Sequence, residues 1–164
     1  MKARKRADTT VRKIMLLGEI GVGKTSLANR LAFDRFEASY KPTLGVELYT
    51  ADIDVDGTPH RLVLWDTDGD LQERMVASDY CRGASGACVI GDLSRPMTLQ
   101  VGRDIRNLFG ELFPGRPTRL LANKLDLMPG TERIKDATRI SVKDGKGVTE
   151  ALRAVARECW EAAL

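Results

Sequence analysis

Short apolar runs alternate with helical segments along this 164-residue chain, which predicts a mostly parallel α/β sandwich with one antiparallel hairpin. Three observations carry that reading. The apolar run Ile14-Met15-Leu16-Leu17 leads straight into a glycine-rich turn and then a helical pattern. Asp56-Gly57 sits between two alternating runs, a common hairpin signal. Residues 87–91 and 119–122 are continuous apolar runs, as expected of strands buried on both faces.

In order along the chain, residues 12–17 form a first strand, and Lys24–Phe33 a helix with Leu27 and Leu31 on one face. Val46–Val55 and residues 60–66 make the antiparallel pair. His60, the one histidine, is expected to be an exposed polar residue beside the hairpin turn. Leu99, Ile105, Leu108, Phe109 and Leu112 mark a helix, stopped by Pro114-Gly115. A last helix carries Val148, Leu152, Val155, Ala156 and Cys159 inward. No repeat, low-complexity tract or linker interrupts the pattern. The expected organisation is one domain over residues 12–164, after a basic disordered tail over 1–11.

Composition excludes several classes. At 43% hydrophobic and 30% charged residues the chain reads as a soluble globular protein. No apolar run approaches the ~20 residues that span a bilayer. Net charge is +3, but Lys2, Arg4, Lys5 and Arg6 supply four positives and leave −1 on the rest. No nucleic-acid surface is expected on so neutral a body. The tail is expected to be a solvated end, with peripheral attraction to anionic membrane as its functional reading. Cys81, Cys88 and Cys159 lack metal-ligand spacing and read as buried thiols in a reducing cytoplasm. Five residues follow Cys159, so the C-terminus is not a prenylation box, and no transmembrane or prenyl anchor is expected.

The chemistry begins at Gly18-Glu19-Ile20-Gly21-Val22-Gly23-Lys24-Thr25, a complete phosphate-binding loop between a strand and a helix. Its backbone N–H groups turn toward phosphate oxygens, and the helix behind adds the positive end of its dipole. Lys24 reaches the outer phosphates, and the Thr25 hydroxyl is placed to ligate Mg²⁺. The chain is therefore expected to bind a nucleoside triphosphate.

Asn123-Lys124-Leu125-Asp126, at the end of the 119–122 strand, selects the base. Ligands sit at the carboxyl ends of strands in open α/β sheets, so this loop and the phosphate loop belong to one site. The Asp126 carboxylate can accept from N1–H and the exocyclic amine of guanine. Adenine would leave it unpaired, and sites of that kind can discriminate by roughly 10⁴ or more. The Lys124 stem can lie over the base, and Asn123 would brace the loops.

With these motifs the chain resembles a Ras-superfamily small GTPase, closest in flavour to the Rab branch, over nearly its whole length. Residues 36–47, Phe-Glu-Ala-Ser-Tyr-Lys-Pro-Thr-Leu-Gly-Val-Glu, resemble switch I, and Trp65-Asp66-Thr67-Asp68-Gly69 the start of switch II. Tyr80-Cys81-Arg82-Gly83-Ala84 resembles the segment leading to the fourth strand, and Ser141-Val142-Lys143 the last guanine loop. The resemblance implies a P-loop GTPase (G-domain) fold, with a mostly parallel six-stranded sheet, one antiparallel hairpin and flanking helices. It implies nucleotide contacts from Ile20 through Ser26, from Phe36, Tyr40, Pro42, Thr43 and Gly69, and from Asn123, Lys124, Asp126, Ser141, Val142 and Lys143. Mg²⁺ would be held by Thr25, Thr43 and, through water, Asp66. Effector, exchange-factor and activator proteins would dock on residues 36–47 and 66–82 of a cytoplasmic monomer.

The chain departs from the family around the outer phosphate. Asp70 falls where the family places the glutamine that orients water, and with Lys24 it is the candidate catalytic residue. Asp68 replaces a small residue, and Ile20 occupies a position normally held by a small side chain. An ionised aspartate only accepts hydrogen bonds, whereas a glutamine amide also donates. Two unit charges ~5 Å apart at an effective dielectric of ~20 repel by roughly 3 kcal/mol. Gln72 takes the role instead if the loop shifts by two residues. Only 15 positions separate Asp126 from Ser141, and Met128-Pro129-Gly130 breaks the intervening helix down to a turn. The expected function is a GTP/GDP switch with weak intrinsic hydrolysis. The alternative is a nucleotide-stabilised interaction module without turnover.

Overall fold

The structure, a computed structural model, describes residues 10–36, 45–67, 69–70 and 72–164. The element order is β1 (Thr10–Leu17), α1 (Lys24–Phe33), β2 (Val46–Val55), β3 (Thr58–Thr67), α2 (Gln72–Val76), β4 (Gly86–Asp92), α3 (Pro96–Leu112), β5 (Thr118–Asn123), β6 (Thr138–Arg139) and α4 (Val148–Ala162). The strands form one sheet in the order β2-β3-β1-β4-β5-β6. Only β2 and β3 run antiparallel, joined at Asp56-Gly57. The predicted fold class is the observed one.

Alternation within the strands builds two cores on opposite faces of the sheet. Ile14, Leu16, Leu62, Leu64 and Ile90 face one side, where they meet α1 and the Val148, Leu152, Val155 stripe of α4. Met15, Leu17, Val89 and Leu120 face the other, against Val76 of α2 and Ile105 and Phe109 of α3. All three cysteines are buried free thiols, and burial pushes Cys88 up to about 12. No helix of the described residues is long and apolar enough to cross a membrane.

α1 and β2 match their expected bounds, and the other predicted elements run one to three residues beyond theirs. β1 starts at Thr10, two residues before the expected domain boundary. α3 begins at Pro96, whose ring is preorganised for a first helical position. Leu112, expected on its buried face, is exposed because the helix ends there. Between β5 and β6 the chain makes successive turns, with Leu127 N–H donating to Lys124 O and Thr131 N–H to Met128 O. No helix covers the sheet there.

His60 corrects the sequence reading. It is fully buried, shares a face of β3 with Leu62 and Leu64, and packs edge-on against Trp160 at 5.4 Å. The expectation failed because β3 starts directly after the turn, so the period-2 pattern reaches back to residue 60. Neither ring nitrogen has a hydrogen-bond partner, and burial, aided by the nearby Arg12 charge, lowers the pKa while Asp54 opposes. The folded state thus keeps the ring neutral, whereas the unfolded chain takes a proton near 6.5. Stability is fully present above that value and is lost as pH falls below it, toward the folded-state pKa. Thermal unfolding followed between about pH 7.5 and about pH 5 should show a falling midpoint. His60→Phe, which keeps the ring contact, should flatten most of that fall.

Candidate functional site

The phosphate loop leaves the buried end of β1, beside β3 and β4, where the order of strands reverses. Gly18 has φ +141°, and a Cβ there would lie 2.3 Å from Ile90 O, so no side chain fits. Gly23 caps α1 at φ +112°, and its Cβ would meet Asn123 Nδ2 at 2.4 Å. Lys24 is nearly buried, and its Nζ curls back to donate to Gly18 O at 2.7 Å and Glu19 O at 2.8 Å. These bonds hold the ammonium over the loop, the position from which it would meet phosphate.

Thr25, in the first turn of α1, donates from Oγ1 to Asp66 Oδ2 at 2.5 Å. Asp66 is buried near the end of β3, opposite Leu16 of β1. Two hard oxygen donors so close together fit Mg²⁺, which prefers few protein ligands and oxygen donors. Tyr40, Pro42 and Thr43 lie outside the described residues, as does Asp68. Phe36 is exposed where that description stops.

The second loop is tied to the first from below and from above. Below, Gly18 N–H donates to Gln72 Oε1 at 2.8 Å, Gln72 Nε2 to Thr67 Oγ1 at 3.3 Å, and Thr67 Oγ1 to Leu16 O at 2.7 Å. Gln72 is buried, so in this arrangement its amide braces the loop. Above, Gly69 sits on the phosphate loop, since a Cβ there would fall 2.5 Å from Ile20 N and 2.8 Å from Ile20 Cγ1. Asp70 is exposed at the edge of this contact. Lys13 anchors the segment that follows, with Nζ 3.7 Å from the Trp65 ring centroid and bonded to the Tyr80 and Arg82 carbonyls.

On the base side, one buried amide joins the loops. Asn123 Nδ2 donates to Val22 O at 2.9 Å, and its Oδ1 accepts from Val142 N–H at 3.0 Å. Ser141 Oγ donates to Asp126 Oδ1 at 2.8 Å and accepts from Asp144 N–H, folding the last loop against the carboxylate. Arg30 of α1 donates to the carbonyls of Val142 and Lys143.

Sequence reasoning missed Asp92. It is buried at the end of β4 and takes Lys124 Nζ at 2.8 Å, Arg95 Nε at 3.0 Å and the Ser94 hydroxyl at 2.6 Å. Burial alone would raise its pKa, but bonds from Lys124, Ser94 and Arg95 outweigh it and hold the carboxyl at about 2. Arg95 also reaches Ile20 O at 3.0 Å, so this carboxylate supports both loops. The one signal for it was a carboxylate ending an otherwise apolar strand.

Removing the Asn123 amide strands two buried backbone groups. Asn123→Ala should therefore cost about 2–4 kcal/mol in chemical denaturation, more than a surface Asn→Ala change.

Against known families, residues 13–160 match the Ras family model. The chain is 38% identical over 140 residues to Ras-related protein RABA5a of Arabidopsis thaliana, covering 85% of this chain and 60% of that protein. It is 34% identical over 139 residues to Ras-related protein Rab11E of Lotus japonicus, covering 84% and 61%. Ras-related protein RABA5b of Arabidopsis thaliana is 34% identical over 146 residues, covering 88% and 64%. The chain thus spans under two thirds of the length of these relatives. With a P-loop, a paired hydroxyl and carboxylate, and an Asn-braced base loop on this sheet order, the chain belongs to the Ras family, as a Rab-like small GTPase.

Proposed function

We propose that the chain is a guanine-nucleotide switch that binds GTP and GDP with Mg²⁺ and hydrolyses GTP slowly. One observation carries the reading: Asn123 ties the phosphate loop at Val22 to the 141–143 loop at Val142, beside Asp126. Phosphate and base chemistry thereby belong to one rigid unit. Lys24 binds the outer phosphates, Asp126 reads the guanine edge, and Val142 N–H and its neighbours Ser141 and Lys143 close over the base. Ile20, Gly21, Val22, Gly23, Thr25 and Ser26 cradle the phosphates, and Phe36, Tyr40 and Pro42 flank the nucleotide. Thr25, Thr43 and, through water, Asp66 would hold Mg²⁺, which when bound would supply charge neutralisation at the phosphates.

Competition against labelled GDP tests the reading. ATP should fail to displace it even at large excess, and comparable displacement by ATP would sink it. Asp126→Asn should shift preference toward xanthine nucleotides, whose added carbonyl accepts from the new amide.

Partners would dock on residues 36–47 and 66–82. Leu48, opposite Trp65 in register, and Tyr80, with its ring 6.4 Å from that of Trp65, expose apolar surface between them. The G domain over residues 12–164 would act as a monomer in the cytoplasm, with the basic tail supplying any peripheral attraction to membrane.

The second reading, a nucleotide-stabilised module without turnover, is favoured by the Gly69–Ile20 contact. It places a branched side chain against the loop that must admit the outer phosphate and a water. Asp70, the candidate catalytic group, brings acceptor-only charge to the same place. Ile20→Gly, Asp68→Ala and Asp70→Gln together should raise the single-turnover rate by about tenfold or more without tightening nucleotide binding. These positions are close enough to couple, so the singles need not add. A wild-type rate already equal to or above that of the triple variant would reassign catalysis to one of the native acidic residues or to Gln72.

A further inference from the structure

The structure assigns a second binding surface, for an acidic extended segment of a partner protein, to the cavity beside the first half of β5. β6 starts opposite Leu121, where the parallel register engages the Leu120 carbonyl, so among the described strands none pairs with Thr118 or with the Leu120 amide on that side. The outward direction of these groups follows from the opposite edge. Ala87 N–H donates to Pro117 O and Leu93 N–H to Asn123 O, so the odd positions face β4. The N–H and C=O of Thr118 and the N–H of Leu120 therefore face outward, on the side where Ala122 accepts from Ile140 N–H. A cavity of about 500 Å³ opens on this edge, between residues 118–120, Arg106 and the 133–139 segment.

Its charge is one-sided. Arg106, Arg133, Lys135 and Arg139 line it, with Asp136 the one carboxylate among the described lining residues. Asp136 is already shared between Arg103 at 2.9 Å and Arg106 at 3.2 Å. Arg133 and Lys135 are exposed, and among the described residues no carboxylate lies within ion-pairing distance of either, or of Arg139. A bare strand edge is a template for an added strand. An extended backbone offers it alternating donors and acceptors, while acidic side chains meet the cations at the rim. A phosphate or lipid headgroup satisfies only the cations and leaves the strand edge unmatched. The surface lies by the first half of β5, whereas the loops of the nucleotide site leave its other end, so its test stands apart from the guanine reading.

Phage-displayed random dodecapeptides panned over the full chain, with GDP present, test the assignment. Enriched peptides should be rich in Asp and Glu. Synthesised, they should slow hydrogen exchange at the Thr118 and Leu120 amides and weaken with salt. Arg133→Glu with Lys135→Glu, both exposed loop positions, should lower their affinity about tenfold or more with unchanged GDP binding. Alternate proline substitution in the peptide should cost as much, because it removes the donors of an added strand. Failure to enrich any peptide, enrichment without acidic bias, or equal binding by the double variant overturns the proposal. So does sedimentation with phosphatidylserine vesicles through these residues when no acidic peptide binds.

Discussion

A single carboxamide holds the site in register. Asn123 is buried at the end of β5, and its two hydrogen-bonding atoms satisfy a carbonyl on one loop and an amide on another. Both backbone groups are buried, so neither can turn to water without losing a bond that nothing else replaces. The dependence extends inward. Gly23 must lack a side chain because Asn123 Nδ2 occupies that space, and Gly23 opens α1, which carries Lys24 and Thr25. The Asp92 carboxylate ties the phosphate loop to the 123–126 loop as well, through Arg95 and Lys124. Its ionisation is favoured by the very cations that it positions.

The phosphate side is built differently. There the second loop rests on the first through backbone contact at Gly69 and Ile20, and through the Gln72 amide and the Thr67 hydroxyl. Such a contact couples the two loops directly, so a ligand entering between them must separate Gly69 from Ile20. The pairing of Thr25 with Asp66 has the same character. Hydroxyl and carboxylate occupy one another in the structure, and each would turn to a divalent ion. Lys13 fixes the far end of the segment by packing on Trp65 and binding two carbonyls.

Away from the site, the sheet is covered unevenly. One face has two helices across its breadth, while the other has α2 and α3 and then, past α3, only Ile134 and Ala137 packed on Leu93, Leu99, Ala122 and Leu125. The short stretch between Asp126 and Ser141 suffices to return the chain to the sheet edge, and the Asp136 carboxylate pins it to Arg103 and Arg106 of α3. The base loop is thus supported without a covering helix, at the cost of a strand edge left open.

Much of this was legible in the sequence because it is local. Strand, glycine turn and helix follow one another from Ile14 to Phe33, and backbone geometry with apolar period decides them with no distant partner. The Asn123-Lys124-Leu125-Asp126 loop was legible for the same reason, as was the loss of a helix at Met128-Pro129-Gly130. What only the tertiary structure decided depends on residues far apart in the chain. His60 is buried because β3 starts early enough to put it on the inner face, where Trp160, 100 positions away, packs against it. Asp92 matters because Lys124 and Arg95 converge on it, and Gln72 because Gly18 does. A side chain's own chemistry sets what it can do, but burial and the partners that reach it set what it does.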